Sequence, residues 1–203
     1  MSVACIDLEG VLIPELWPHI AHQTGVEELL ITTREEPDYG KLVERRISLL
    51  RQHRLRLCDV RNLVSTVQPL PGAVQFLRAV ALHWRVVLVS DAFQQMVEPL
   101  WLQLDSPELQ CHKFECDSHG YVSNAHYSRK FGKHEVVEHF KSQGEQTLAI
   151  GDAFNDLSML RAADKGFLFR PSLSTRNAAK YLTIMEDYES ILHALSSSAL
   201  EMA

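Results

Sequence analysis

Asp7 and Glu9 stand two residues apart where the apolar run Val3-Ala4-Cys5-Ile6 opens toward Gly10. A buried strand that ends in two carboxylates must offset their desolvation, because an unpaired buried carboxylate costs several kcal/mol. A divalent cation together with a phosphoryl group would do so, with one carboxylate as nucleophile and metal ligand and the other as proton shuttle. Three further groups follow in chain order: Ser90-Asp91 after Val86-Val87-Leu88-Val89, Lys133 at the opening of a helical pattern, and Gly151-Asp152-Ala153-Phe154-Asn155-Asp156 after Thr147-Leu148-Ala149-Ile150. Each has a plainer reading alone: a helix cap, a solvated lysine, a turn. Together they make a set for phosphoryl transfer. Carboxylates attack and hold a hard cation, while a hydroxyl and an ammonium hold phosphoryl oxygens.

These groups need a scaffold that brings them to one place. Val3 to Ile6, Val86 to Val89, Thr147 to Ile150 and Gly166 to Phe169 are short apolar runs of the kind buried on both faces. Between them lie helical spacings at Phe93 to Leu104 and Lys133 to Ser142, and a helix start at Pro71-Gly72-Ala73. This alternation predicts an α/β fold, a Rossmann-like doubly wound parallel sheet. In such sheets ligands bind beyond the carboxyl ends of the strands, where Asp7, Ser90 and Asp152 fall. From Glu15 to Val67 no strand pattern appears. Helical ones do, such as Leu42, Val43, Arg46, Ile47 and Leu50, punctuated by Gly25, Pro37 and Gly40. The expected organisation is a core of residues 1–14 and 69–203 with a helical cap, 15–68, inserted after the first strand. Cys111 to Tyr127 reads as a hairpin around Asp117-Ser118-His119-Gly120, and Ser196-Ser197-Ser198 as the start of a frayed tail.

Composition narrows the function classes. The 203 residues are 46% apolar and 23% charged, with a formal net charge of -6. An acidic balance argues against nucleic acid or an anionic membrane as partner. No apolar run approaches the roughly 20 residues that span a bilayer, and no signal peptide is readable. Cys5, Cys58, Cys111 and Cys116 lack metal-site or redox-motif spacing and predict reduced thiols in a cytoplasmic enzyme. Of the ten histidines, only His19 and His22 share an i,i+3 face, and with no third ligand nearby the pair reads as surface. None is assigned to a metal.

The four motifs in this order resemble the haloacid dehalogenase-like phosphatase superfamily. Within it the chain is similar to the phosphoserine phosphatases over nearly its whole length, since Glu15 and the segment Arg45-Arg46-Ile47-Ser48-Leu49-Leu50 match that family's substrate anchors. The resemblance implies Asp7 as nucleophile, Glu9 as acid/base, and Ser90 and Lys133 as holders of the phosphoryl group. It implies Mg2+ on Asp7, Asp152 and the backbone carbonyl of Glu9, with Asp156 either a further ligand or, with Asn155, an orienter of Lys133. Glu15 would take the substrate ammonium and Arg46, or its neighbour Arg45, the carboxylate; Asp91 and Asn155 complete the substrate-binding set. Glu9 stands where most of the family has Asp. The form Asp7-Leu8-Glu9-Gly10-Val11-Leu12, with Thr32-Thr33-Arg34 and Pro37-Asp38-Tyr39, is similar to the bifunctional, ThrH-type branch, which also passes phosphate to homoserine. The expectation is thus a small-molecule enzyme, monomeric or homodimeric, of serine and threonine biosynthesis. A phosphatase of another small phosphometabolite, such as a sugar or nucleotide phosphate, is the rival enzyme. A receiver-like phospho-aspartate signalling domain is the rival non-enzyme, but it needs no cap.

Overall fold

Val3, Ala4, Cys5 and Ile6 are fully buried because the strand they form lies in the middle of a seven-stranded sheet. The computed structural model describes residues 2–33 and 35–200, with the backbone alone for 197–200. Its strands are β1 (Ser2–Ile6), β2 (Arg85–Phe93), β3 (Glu108–Cys116), β4 (Val122–His126), β5 (Gln146–Gly151), β6 (Lys165–Phe169) and β7 (Thr183–Met185). They lie in the order β4-β3-β2-β1-β5-β6-β7, all parallel except the β3–β4 hairpin. The expected α/β sheet is therefore present. Side chains alternate across it. Ala4 and Ile6 join one apolar layer with α4 (Ala73–Ala81), α5 (Gln94–Gln103) and α9 (Tyr188–Leu200). Val3 and Cys5 join the opposite layer with α6 (His134–Ser142) and α7 (Leu157–Ala162), while α8 (Leu173–Ala178) precedes the edge strand β7.

Between β1 and α4 the described chain holds no strand, only α1 (Leu16–Thr24), a 3-10 turn at Glu27–Leu30, α2 (Tyr39–Gln52) and α3 (Leu57–Val64). Asp38 caps α2 by accepting the Lys41 amide at 3.2 Å. Trp17, Ile20, Val43, Leu50, Val60 and Val64 belong to the same apolar cluster as Ile6 and Leu88 of the sheet. The helical segment is thus seated on the core by shared burial.

Some boundaries differ from expectation. Ser90 does not end its strand: β2 runs on to Phe93 through an irregularity in which Val89 pairs with Gln110 and Phe93 with His112. Four steps on β2 match two on β3, so Ser90, Asp91 and Ala92 bulge out of the ladder. The hairpin exists, but its first strand starts at Glu108 and pairs in parallel with β2, which local periodicity cannot reveal. Ser196 lies inside α9, its hydroxyl donating to the Leu192 carbonyl at 2.9 Å. Turn-forming composition is overridden there by the apolar face of the preceding turns, led by the fully buried Ile191. His19 is half-buried, with Nε2 3.1 Å from the Leu63 carbonyl and 3.2 Å from Thr66 Oγ1, so it ties α1 to the end of α3. Arg34 falls outside the described residues. Among the described residues no helix is long and apolar enough to cross a membrane.

Candidate active site

Asp7 follows β1 immediately, its amide donating to the Ile150 carbonyl at 2.9 Å, so the ends of β1 and β5 are locked together. Lys133, just ahead of α6, reaches this point from the opposite layer. Its Nζ donates to Asp7 Oδ1 at 2.6 Å and to Asp156 Oδ1 at 2.7 Å, and it is 1% exposed. Asp156 Oδ2 accepts the amides of Asp152 and Ala153, both at 3.0 Å, which folds the loop after β5 around its own carboxylate. Two glycines permit this closeness. A Cβ on Gly151 would fall 2.5 Å from the Asp156 Cβ. One on Gly10, whose φ is +79°, would fall 2.4 Å from Asp152 Oδ2.

The charges in this pocket do not balance. Asp7, Asp152 and Asp156 place carboxylate oxygens within 4.8 Å of one another, against the single ammonium of Lys133. Burial, then the neighbouring Asp156, push the Asp7 carboxyl well above the usual range despite the pull of Lys133. Burial and then Asp156 likewise push Asp152 up to about 7. Lys133 moves the other way: burial opposes its charge, but Asp156, Asp7 and Asp91 raise its pKa well above the ordinary value. Asp152 Oδ1 is buried with no hydrogen-bond partner. An orphaned carboxylate oxygen in a cluster with excess negative charge fits a hard divalent cation, for which oxygen donors are the preferred ligands.

Beside this cluster, Ser90 Oγ accepts the Ala92 amide at 3.1 Å, and its own O–H is the proton it can donate. Asp91, placed by sequence among the substrate-binding residues, has both carboxylate oxygens engaged by protein groups. Oδ2 accepts from Asn155 Nδ2 at 2.9 Å and lies 4.0 Å from Lys133 Nζ. Oδ1 accepts from an Arg129 guanidinium nitrogen at 2.9 Å and faces His112 Nε2 at 3.6 Å. Burial alone would raise this carboxyl, but Lys133, His112, Asn155 and Arg129 outweigh it and hold Asp91 far below the usual range. The Tyr39 hydroxyl donates to the Asp91 carbonyl oxygen, a contact from α2 to β2. Sequence reasoning missed Arg129 and His112. Arg129 stands beside the exposed Lys130 in a polar loop, and nothing local separates a buried cation from a solvated one.

Toward α1, Glu9 Oε1 accepts the Leu16 amide at 2.8 Å, so the proposed acid/base is held at the start of that helix. Burial, then the charge of Glu15, push its carboxyl up to about 7, with the Leu16 amide, Arg46 and Lys133 pulling it back. Arg46 is 8% exposed, whereas Arg45 is exposed. The guanidinium of Arg46 lies 4.5 Å from the Trp17 ring centroid and donates to the Ile31 carbonyl at 3.0 Å, and its Nε is buried without a partner. Glu9 and Glu15 both act electrostatically on Arg46. Glu15 and Arg46, named from sequence as anchors, thus both lie within electrostatic reach of Glu9.

Comparison with known proteins matches this arrangement to one family. The family model described as haloacid dehalogenase-like hydrolase matches residues 1–164. "Phosphoserine phosphatase ThrH" of Pseudomonas aeruginosa is 41% identical over 169 residues, covering 83% of this chain and 82% of the relative. "Phosphoserine phosphatase" of Pseudomonas syringae pv. tomato is also 41% identical over 169 residues, covering 83% and 71%. Among solved structures, "Phospho-Aspartyl Intermediate Analogue of Phosphoserine phosphatase" superposes with a TM-score of 0.78 at 21% identity, covering 95% of this chain and 98% of that one, a likeness of fold. Sequence and fold agree: the chain belongs to the haloacid dehalogenase-like hydrolases and, within them, to the phosphoserine phosphatase family.

Proposed function

We propose that this chain is a Mg2+-dependent phosphoserine phosphatase that works through a phosphorylated Asp7 and also passes the phosphoryl group to homoserine. The observation that carries the reading is the Asp7–Lys133–Asp156 cluster with Asp152, together with Glu9 in the loop after β1, Glu15 at the N-cap of α1 and Arg46 in α2. The relatives named phosphoserine phosphatase support the substrate. Asp7 and Asp152 would hold the cation together with the Glu9 backbone carbonyl, and Asp156, its oxygens occupied by Lys133 and two amides, would orient them. When bound, the cation supplies charge neutralisation for the phosphoryl oxygens and for the nucleophile.

The chain's own groups account for the remainder. A carboxylate oxygen of Asp7 attacks phosphorus and forms an acyl phosphate, while the serine oxygen leaves and takes a proton from Glu9. A carboxyl held near 7 is matched to giving and then retaking that proton at neutral pH. Lys133 and the Ser90 hydroxyl hold the developing charge. Arg46 forks onto the substrate carboxylate and Glu15 takes its ammonium. Water or the homoserine hydroxyl then attacks phosphorus, giving its proton to Glu9 and releasing Asp7.

Assaying the purified protein with Mg2+ against a panel of phosphometabolites tests the substrate; a sugar or nucleotide phosphate turned over far faster than phosphoserine would replace this reading with the rival enzyme. Adding homoserine should yield phosphohomoserine at the expense of inorganic phosphate. Glu9→Asp should shift that ratio toward phosphate if side-chain length sets acceptor choice. No phosphohomoserine at saturating homoserine would leave a plain phosphatase.

A further inference from the structure

Asp91 poses an electrostatic problem. It follows the serine proposed to hold the phosphoryl group, and its carboxylate lies 4.0 Å from the Lys133 ammonium. An anion there competes for Lys133 and repels an incoming phosphoryl dianion. The structure answers from outside the four motifs. One terminal guanidinium nitrogen of Arg129 donates to both Asp91 Oδ1, at 2.9 Å, and the Ser90 carbonyl, at 2.6 Å; the second terminal nitrogen donates to the Gln110 carbonyl at 2.9 Å and Ser128 Oγ at 3.2 Å, while Nε is buried without a partner. The Arg129 side chain is 4% exposed. It therefore braces the bulge of β2 against β3 while its charge lies on Asp91. His112 is 4% exposed, and its Nδ1 accepts the Ser128 amide at 3.2 Å, which leaves the ring proton on Nε2, facing Asp91 Oδ1. Tyr39, the first residue of α2, donates to the Asp91 carbonyl. The helix that carries Arg46 is tied to the same residue.

We propose that Arg129 is a positioning residue that neutralises and holds Asp91, so that Ser90 and Lys133 accept a phosphoryl dianion, and that Tyr39 couples the seating of the cap to this point. The proposal rests on the phosphatase reading, and its test separates the two. Arg129→Met, Asp91→Asn, the double variant and Tyr39→Phe would be compared with wild type for turnover of para-nitrophenyl phosphate and phosphoserine with Mg2+, for competitive inhibition by inorganic phosphate, and for thermal unfolding.

Arg129→Met should raise the phosphate inhibition constant about tenfold, the low end expected for losing a hydrogen-bonded charge partner. Adding Asp91→Asn should bring it back to within about threefold of wild type, because the uncompensated anion is gone. If Arg129 were only a brace, Asp91→Asn would restore nothing, since the Ser90 and Gln110 carbonyls would still lack their donor. That result would overturn the neutralising role. Should Arg129→Met fail to fold, Arg129→Lys decides: it keeps the charge and loses the fork, so the inhibition constant should stay within about threefold. A tenfold rise there would overturn the proposal equally. Tyr39→Phe should raise KM for phosphoserine several-fold more than for para-nitrophenyl phosphate, which has nothing for the cap to grip; equal changes would remove Tyr39 from the clamp. A wild type active on para-nitrophenyl phosphate but not on phosphoserine would refute the substrate and leave the Arg129–Asp91 result standing.

Discussion

Lys133 is the residue through which the site is wired, since it joins Asp7 to Asp156 from inside the protein. A buried ion triad of this kind adds little net stability, because desolvation cancels most of the attraction. On the proposed reading, its worth lies in fixing where the Asp7 nucleophile points. Asp7→Asn should therefore cut turnover by about 10^3-fold or more while leaving the thermal midpoint nearly intact, since the amide retains the shape but cannot attack phosphorus. Mass spectrometry of trapped enzyme should place the acyl phosphate on Asp7 and on no other residue. Arg46→Ala should raise KM for phosphoserine about 10- to 100-fold, the loss of a charge-assisted contact worth about 1.5–3 kcal/mol. Para-nitrophenyl phosphate, with no carboxylate, should be much less affected. Equal losses on both would assign Arg46 to the phosphate or the fold.

At the scale of elements, the proposed site depends on how β1 and β5 end. Gly10 and Gly151 are the positions where two loops pass too closely for a side chain. Gly10→Ala forces a Cβ into a left-handed conformation, at a cost of about 1–2 kcal/mol, and pushes the Asp152 carboxylate out of place. The expected result is a lower thermal midpoint together with a raised Mg2+ requirement, read from the concentration giving half-maximal activity. Unchanged Mg2+ dependence would mean that Asp152 does not serve the cation.

For the whole molecule, the acidic pocket links metal, protons and stability. In the metal-free protein the Asp152 carboxyl is held at about 7, against an ordinary 3.8. The folded state thus holds this proton more tightly than the unfolded chain. The stability gained this way is complete below about pH 4 and is lost as pH rises through 7. Mg2+ must displace the same proton, so its affinity should increase over that range. The rise in thermal midpoint on adding Mg2+ should accordingly be larger at pH 8 than at pH 5.5, and Asp152→Asn should flatten this dependence. A shift of the same size at both pH values would show that no proton competes with the cation.

The sequence by itself determined the alternation of buried strands and helices, the inserted helical segment, and the carboxylates and lysine at strand or helix ends. These are local patterns: apolar periodicity marks what is buried, and a polar residue where that pattern stops marks where the sheet opens to solvent. The proposed anchors Glu15 and Arg46 were legible only through family resemblance, because an arginine on a helix reads as solvated until a ring such as Trp17 is found beneath it. The parallel pairing of β3 with β2, the bulge at Ser90 and the grip of Arg129 and His112 on Asp91 were decided by tertiary structure alone. Each joins segments about 20 to 40 residues apart in the chain, through backbone carbonyls and buried charge. Such contacts leave no periodicity in the chain, because they depend on where the strands end in space and not on what precedes them in sequence.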